Sequence, residues 1–149
     1  MSNLNDAIKM RGDLIITKTA ENGSVETVKV PNLVVTVGKG FIANRMAANT
    51  TNIMSHMAIG SGNTAPTTGD TIIEAELARV ALSVAGGTPS QNTVTYSATF
   101  PAGTGTGALT EAGVLNAANV GTLLCRTVFP VINKQAADVI AISWVVSIT

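Results

Sequence analysis

From Thr93 to Phe100 the chain alternates: Val94, Tyr96, Ala98 and Phe100 fall on one side, and Thr93, Thr95, Ser97 and Thr99 on the other. Successive side chains of a strand point to opposite faces, so a period of two predicts a strand with one buried face. Asp138–Ile148 shows the same period. Ile140, Ile142, Trp144, Val146 and Ile148 share one face; Val139, Ala141, Ser143, Val145 and Ser147 share the other. Both sets are fairly apolar, which predicts a strand covered on both sides. Asp13–Thr19 and Ser24–Val30 flank Glu21-Asn22-Gly23, a hairpin signal because Asn-Gly accepts the positive φ of tight turns. Pro31-Asn32 reads as punctuation before a strand over Leu33–Val37, which Gly38-Lys39-Gly40 ends. Further strands are predicted at Met54–Ile59, Arg79–Val84, Leu109–Leu115 and Thr122–Val131.

The period changes twice. Phe41, Ile42, Arg45, Met46 and Ala48 recur at three- and four-residue spacing, predicting a helix over Phe41–Ala48 with Asn49 as its stop. Thr71–Leu77 fits a short helix capped by Asp70 or Thr71. Two Gly- and Thr-rich stretches, 60–70 and 102–108, read as loops, and Gly86-Gly87-Thr88-Pro89 reads as a turn. About eight strands with one or two short helices make a mainly β protein. The expected architecture is a single jelly-roll-like antiparallel β-sandwich over residues 13–149, preceded by an arm at residues 1–12, flexible or ordered on a neighbour.

Composition narrows the function. The 149 residues carry nine basic and nine acidic side chains, 12% charged in all. A neutral chain lacks the basic surface that gives nucleic-acid or anionic-membrane binding its affinity, so neither partner is expected. Fourteen of the eighteen charges precede Val80; beyond it stand only Glu111, Arg126, Lys134 and Asp138. So little surface charge gives a lone monomer poor colloidal stability, so much of the surface is expected to be covered by copies of the chain or by a partner. One cysteine, Cys125, excludes an internal disulfide, and one histidine, His56, excludes a multi-histidine metal site. No cofactor is expected. The N-terminus shows no secretory signal, and no apolar run approaches the roughly 20 residues of a membrane span.

Most motif-like stretches have plain readings. Gly60-Ser61-Gly62-Asn63-Thr64 lacks the lysine and following helix of a phosphate-binding loop, and Gly103-Thr104-Gly105-Thr106-Gly107 lacks dinucleotide-binding spacing. Both are taken as loops and as candidate contact segments, through Gly60, Ser61, Gly62, Gly103, Gly105 and Gly107. Arg11-Gly12-Asp13 is read as a chance tripeptide, and Asn49-Thr50-Thr51 as an unmodified glycosylation pattern. Ser61, Ser83 and Ser97 lack a nucleophile-elbow context. Glu74 and Glu76 are a weak carboxylate pair in a chain only 3% aromatic. No catalytic residue is expected. Glu111 and Arg126 are more informative, since each is isolated in an apolar stretch, and a buried charge must be paired. Glu111 is expected to pair with Arg126 or Arg79, inside the sandwich or across a subunit interface. Cys125 is expected to be a buried structural thiol.

Several stretches taken together resemble a family of small structural proteins of tailed-bacteriophage virions. They are Asn32-Leu33-Val34-Val35-Thr36-Val37-Gly38-Lys39 with the Ile/Ala/Arg helix after it, Met57-Ala58-Ile59-Gly60-Ser61-Gly62-Asn63-Thr64-Ala65-Pro66, Glu76-Leu77-Ala78-Arg79-Val80-Ala81-Leu82, Glu111-Ala112-Gly113-Val114-Leu115-Asn116-Ala117, Gly121-Thr122-Leu123-Leu124-Cys125-Arg126-Thr127-Val128-Phe129, and the closing strand around Trp144. The likeness spans roughly residues 25–149. It implies a non-enzymatic β-rich protein that assembles as dimers or trimers on the particle, either as a head decoration (cement) protein on the major capsid protein or as a tail, collar or fibre-associated protein. Virion localisation follows, with synthesis in the host cytoplasm. The resemblance brings no catalytic residues.

Overall fold

The computed structural model describes residues 7–47 and 51–149. The chain opens with a hairpin of β1 (Met10–Thr19) and β2 (Val25–Val34), followed by α1 (Thr36–Ala47). Then come β3 (His56–Gly60), β4 (Glu76–Ala81), β5 (Thr88–Ser90), β6 (Thr93–Phe100), β7 (Gly107–Leu115), β8 (Leu123–Lys134) and β9 (Val139–Ile148). The fold is mainly β: all nine strands join one curled antiparallel sheet of sandwich-like shape, in the order β4-β3-β7-β8-β2-β1-β9-β6-β5. β2 links its two halves. It pairs with β1 from Val25 to Asn32, then with β8 through Leu33 and Val34. Just past β4, the Ser83 N–H donates to the Ser97 carbonyl at 2.8 Å, bringing the ends of the curl together.

The core lies inside the curl. Leu14, Ile16, Met57, Ile59, Phe100, Ile142 and Trp144 are among its fully enclosed members. The alternation of β6 and β9 is realised: Tyr96, Ala98, Phe100, Ile140, Ile142, Trp144 and Val146 are buried.

Several boundaries differ from the sequence reading, each for a local reason. β1 starts at Met10, where Met10, Arg11 and Gly12 pair with Ile148, Ser147 and Val146, and Lys9 exchanges backbone hydrogen bonds with Thr149. Residues 10–12 therefore belong to the sheet and not to an arm; residues 1–6 lie outside the described residues. β2 runs through Pro31-Asn32, because that is where its ladder changes partner. Val35-Thr36-Val37 does not extend the strand; α1 begins at Thr36 and continues through Gly38. A Cβ on Gly38 would lie 2.1 Å from the Leu124 carbonyl oxygen, so glycine lets the helix backbone press against β8. The expected helix stop at Asn49 lies outside the described residues. Thr88–Ser90 forms the short β5 and not only a turn. Residues 71–75 are not helical: their backbone groups are taken by distant partners.

Candidate functional site

The β3-β7-β8 half of the sheet carries a second layer. Residues 61–75, called the strap here, leave β3 at Gly60 and run back over the outer face of β7 and β8 before entering β4. Beneath them lies a small apolar cluster of Val35, Ala58, Ile73, Leu115 and Leu123. Ile73 is the strap's own contribution, and it is 5% exposed.

A charged network pins the strap. Glu111 on β7 and Arg126 on β8 point outward from neighbouring strands, and both are buried. Glu111 Oε2 lies 2.9 Å from Arg126 Nη2 and accepts a hydrogen bond from Arg126 Nε at 3.0 Å. The same carboxylate accepts from strap N–H groups: Gly62 at 2.9 Å, Glu74 at 3.0 Å and Ala75 at 2.6 Å. Arg126 Nη1 donates to the Thr64 carbonyl at 3.1 Å and to Asp70 Oδ2 at 2.9 Å. Asp70 in turn accepts from the Thr67 N–H and hydroxyl. Burial alone would raise the Asp70 carboxyl pKa, but the Thr67 hydrogen bonds and the Arg126 guanidinium outweigh it and hold the group below the usual carboxylate range. Glu74 adds a looser contact, 3.5 Å from Arg126 Nη2.

This explains why 71–75 is not a helix. The N–H groups of Glu74 and Ala75 go to Glu111, and the Ala75 carbonyl accepts from Ser61 N–H at 2.9 Å. A backbone already satisfied by partners far along the chain gains nothing from local helical bonds. It also explains Gly62, where a Cβ would stand 2.5 Å from Glu111 Oε1. The Thr110 hydroxyl caps the Gly62 carbonyl at 2.7 Å, and Thr36 N–H at the start of α1 donates to Thr68 O at 2.8 Å.

Arg79 does not join the network. It grips Glu76 through two nitrogens, at 2.7 and 3.1 Å. Its Nη1 donates to Ala117 O and Val120 O, each at 2.9 Å, fixing the β7–β8 turn. Val120 at the tip of that turn is 81% exposed and sits at φ 56, a conformation that β-branched residues avoid. The pair is therefore Glu111–Arg126, and it lies on the outer side of the sheet beneath the strap rather than inside the sandwich. The carboxylate holds three strap N–H groups, and the guanidinium holds the Thr64 carbonyl and the Asp70 carboxylate, with Nη2 left buried and without a hydrogen bond.

The second candidate loop is also fixed. Lys134, 1% exposed, donates to Pro101 O at 2.9 Å, and Gly103 N–H donates to Ala136 O at 2.7 Å. Burial lowers the Lys134 pKa, with Asp138 opposing in part. Gly105 turns at φ 70 against Ile59. Strand directions place Gly60, Ser61, Gly62, Gly103, Gly105 and Gly107 at one end of the sheet, with the β1–β2 turn.

The remaining motifs disperse. Arg11 and Asp13 lie on β1 and pair with each other at 2.9 Å, while Gly12 is buried beside Asn32. His56 Nδ1 meets Ser55 Oγ at 2.8 Å and none of Ser61, Ser83 or Ser97. Glu76 is held by Arg79 and does not form a carboxylate pair with Glu74. Cys125 is buried, and burial pushes its thiol pKa up. Among the described residues there is no cluster of metal-ligating side chains, and no helix is long and apolar enough to cross a membrane.

The other half of the sheet has no strap. On the outer face of β1, β9 and β6, cross-strand rows read Thr17–Ala141–Thr99, Ile15–Ser143–Ser97 and Asp13–Val145–Thr95. Ile15, Thr99 and Ala141 are exposed and the rest half-buried. A shallow depression of about 210 Å³ runs between them. The charges on this face are Arg11 and Asp13, paired together, and Lys29 on β2. Both sides of β9 were expected to be covered; in the single chain only the inner side is. The sequence reading missed this face. The Thr and Ser residues opposite the core positions of β6 were the available signal.

Comparison with known proteins finds no matching family model, no matching curated protein and no matching solved structure.

Proposed function

We propose that this chain is a non-enzymatic structural protein of a tailed-bacteriophage virion, a capsid decoration protein that assembles as symmetric copies on the outer shell and stabilises it. The observation that carries the assembly reading is the open outer face of β1-β9-β6. A two-fold contact brings the same patch to itself, so the patch must tolerate its own copy. A face of small, hydroxyl and apolar residues meets itself without like-charge repulsion; a charged face does not. Three strands about 4.8 Å apart and some nine residues long, at about 3.4 Å per residue, present on the order of 440 Å² in projection. That is a little over half of the roughly 800 Å² of accessible surface that each partner gives to a standard interface.

The assignment to a virion rests on the motif order between residues 25 and 149. The shell reading adds that the pinned loops at 60–75 and 101–107 form a rigid rim at one end of the sheet, suited to clamping adjacent capsid subunits. A protein that binds only the assembled shell stabilises it by mass action. The second reading is a tail, collar or fibre-associated protein, favoured by the exposed, strained tip at Val120.

Immunogold electron microscopy of particles from cells carrying this gene tests the proposal. Gold over the heads supports the decoration role. Gold confined to tails replaces it with the second reading. Purified particles lacking the chain by mass spectrometry would overturn both.

A further inference from the structure

At the end of the sheet opposite the pinned loops, α1 leaves a cleft against the ends of β1, β6 and β9. Its volume is about 410 Å³, within the range of roughly 300–1,000 Å³ seen for small-molecule sites. Phe41, Ile42, Met54, Val94 and Leu124 are among the apolar side chains lining it, and Met46 stands at the mouth, 80% exposed. Two polar side chains break this lining. Arg45 is the one charged residue on the wall. Its Nη1 donates to Thr51 O at 3.1 Å, and no acidic side chain pairs with it among the described residues. Tyr96 is 6% exposed, lines the cleft and has no hydrogen-bond partner for its hydroxyl among the described residues. Burial keeps that hydroxyl protonated, its pKa raised to about 12, so it is a donor.

An apolar trough with a neutral donor and a cation that no described carboxylate pairs is complementary to one ligand chemistry. We infer that the cleft binds a linear amphipathic anion, a free medium-chain alkyl carboxylate, with its chain against Phe41, Met54 and Leu124 and its head at Arg45 and Tyr96. Apolar burial supplies the affinity, and the guanidinium selects the negative head. The site is separate from both the strap and the open sheet face, so it stands whether or not the chain belongs to a virion.

The test uses the intact protein with methyl-13C methionine and decanoate as ligand. Met10, Met46 and Met54 line the cleft, whereas Met57 is buried in the core away from it and reports on the fold. Decanoate should shift the Met10, Met46 and Met54 methyls saturably and leave Met57 unmoved. Arg45→Gln should weaken decanoate about tenfold without weakening decyltrimethylammonium, itself the weaker ligand of the native protein. Three results would overturn the inference: no saturable shift at millimolar decanoate, equal binding of the cationic analogue, or unchanged decanoate affinity in the variant with Met57 in its native position. Concentration-dependent shifts of the same methyls without ligand would also overturn it, by showing a second copy in the cleft.

Discussion

The outer faces of the two halves of the sheet are finished differently. Over β7 and β8 the chain supplies its own cover: the strap brings Ile73 down onto an apolar cluster, and Glu111 and Arg126 absorb the strap's backbone polarity. Over β1, β9 and β6 nothing is added, and side chains stay small, hydroxylated and nearly uncharged. The difference shows two ways to resolve a sheet face that is neither fully apolar nor strongly polar. One is intramolecular and needs buried ions to hold a loop without helix or strand bonds. The other leaves the face to be completed by another molecule.

Breaking the first half should be expensive. Glu111→Ala leaves Arg126 buried with its fully buried counter-ion gone and the Gly62, Glu74 and Ala75 N–H groups without their acceptor, and removing one partner of a buried pair costs about 3–5 kcal/mol. Urea denaturation should show that loss, with faster amide exchange over 61–75 than over β6. Ile73→Ala removes the strap's apolar anchor. It should cost about 2 kcal/mol, the lower end for large-to-small substitutions, because the cluster is small and can relax. Gly62→Ala drives a methyl into the Glu111 carboxylate and should cost about 1–3 kcal/mol by the same measurement, as overpacking does.

Acid should loosen the strap in a predictable direction. The Asp70 pKa is depressed in the folded protein, so its contribution is present above the unfolded value of about 3.9 and is lost as pH falls through the folded value. Amide exchange at Thr67 should therefore rise below about pH 4, and Asp70→Asn should remove that pH dependence. The smallest effect on stability belongs to the open face. Ala141→Lys should change folding stability by less than about 0.5 kcal/mol, as exposed substitutions usually do, while abolishing assembly.

Much of this was legible in the chain. The period-two runs at Thr93–Phe100 and 138–148 placed β6 and β9 almost to the residue, because half-buried strands write their environment as alternation. The Glu111–Arg126 pair was visible as two lone charges in apolar stretches. The start of α1 was not visible, since Val35-Thr36-Val37 has strand-like residues and only the close approach of Gly38 to Leu124 favours a helix. The strap was not visible either. Its long-range hydrogen-bond partners lie 32 to 62 residues away, and no local pattern records a partner at that distance.

The most direct test of the central claim is sedimentation equilibrium of the native protein and Ala141→Lys side by side. The native species should be a multiple of the 15.2 kDa chain, and the variant a folded monomer with an unchanged unfolding midpoint. A native monomer, or a variant that assembles as the native protein does, would contradict the claim that the open face of β1, β9 and β6 is where copies meet.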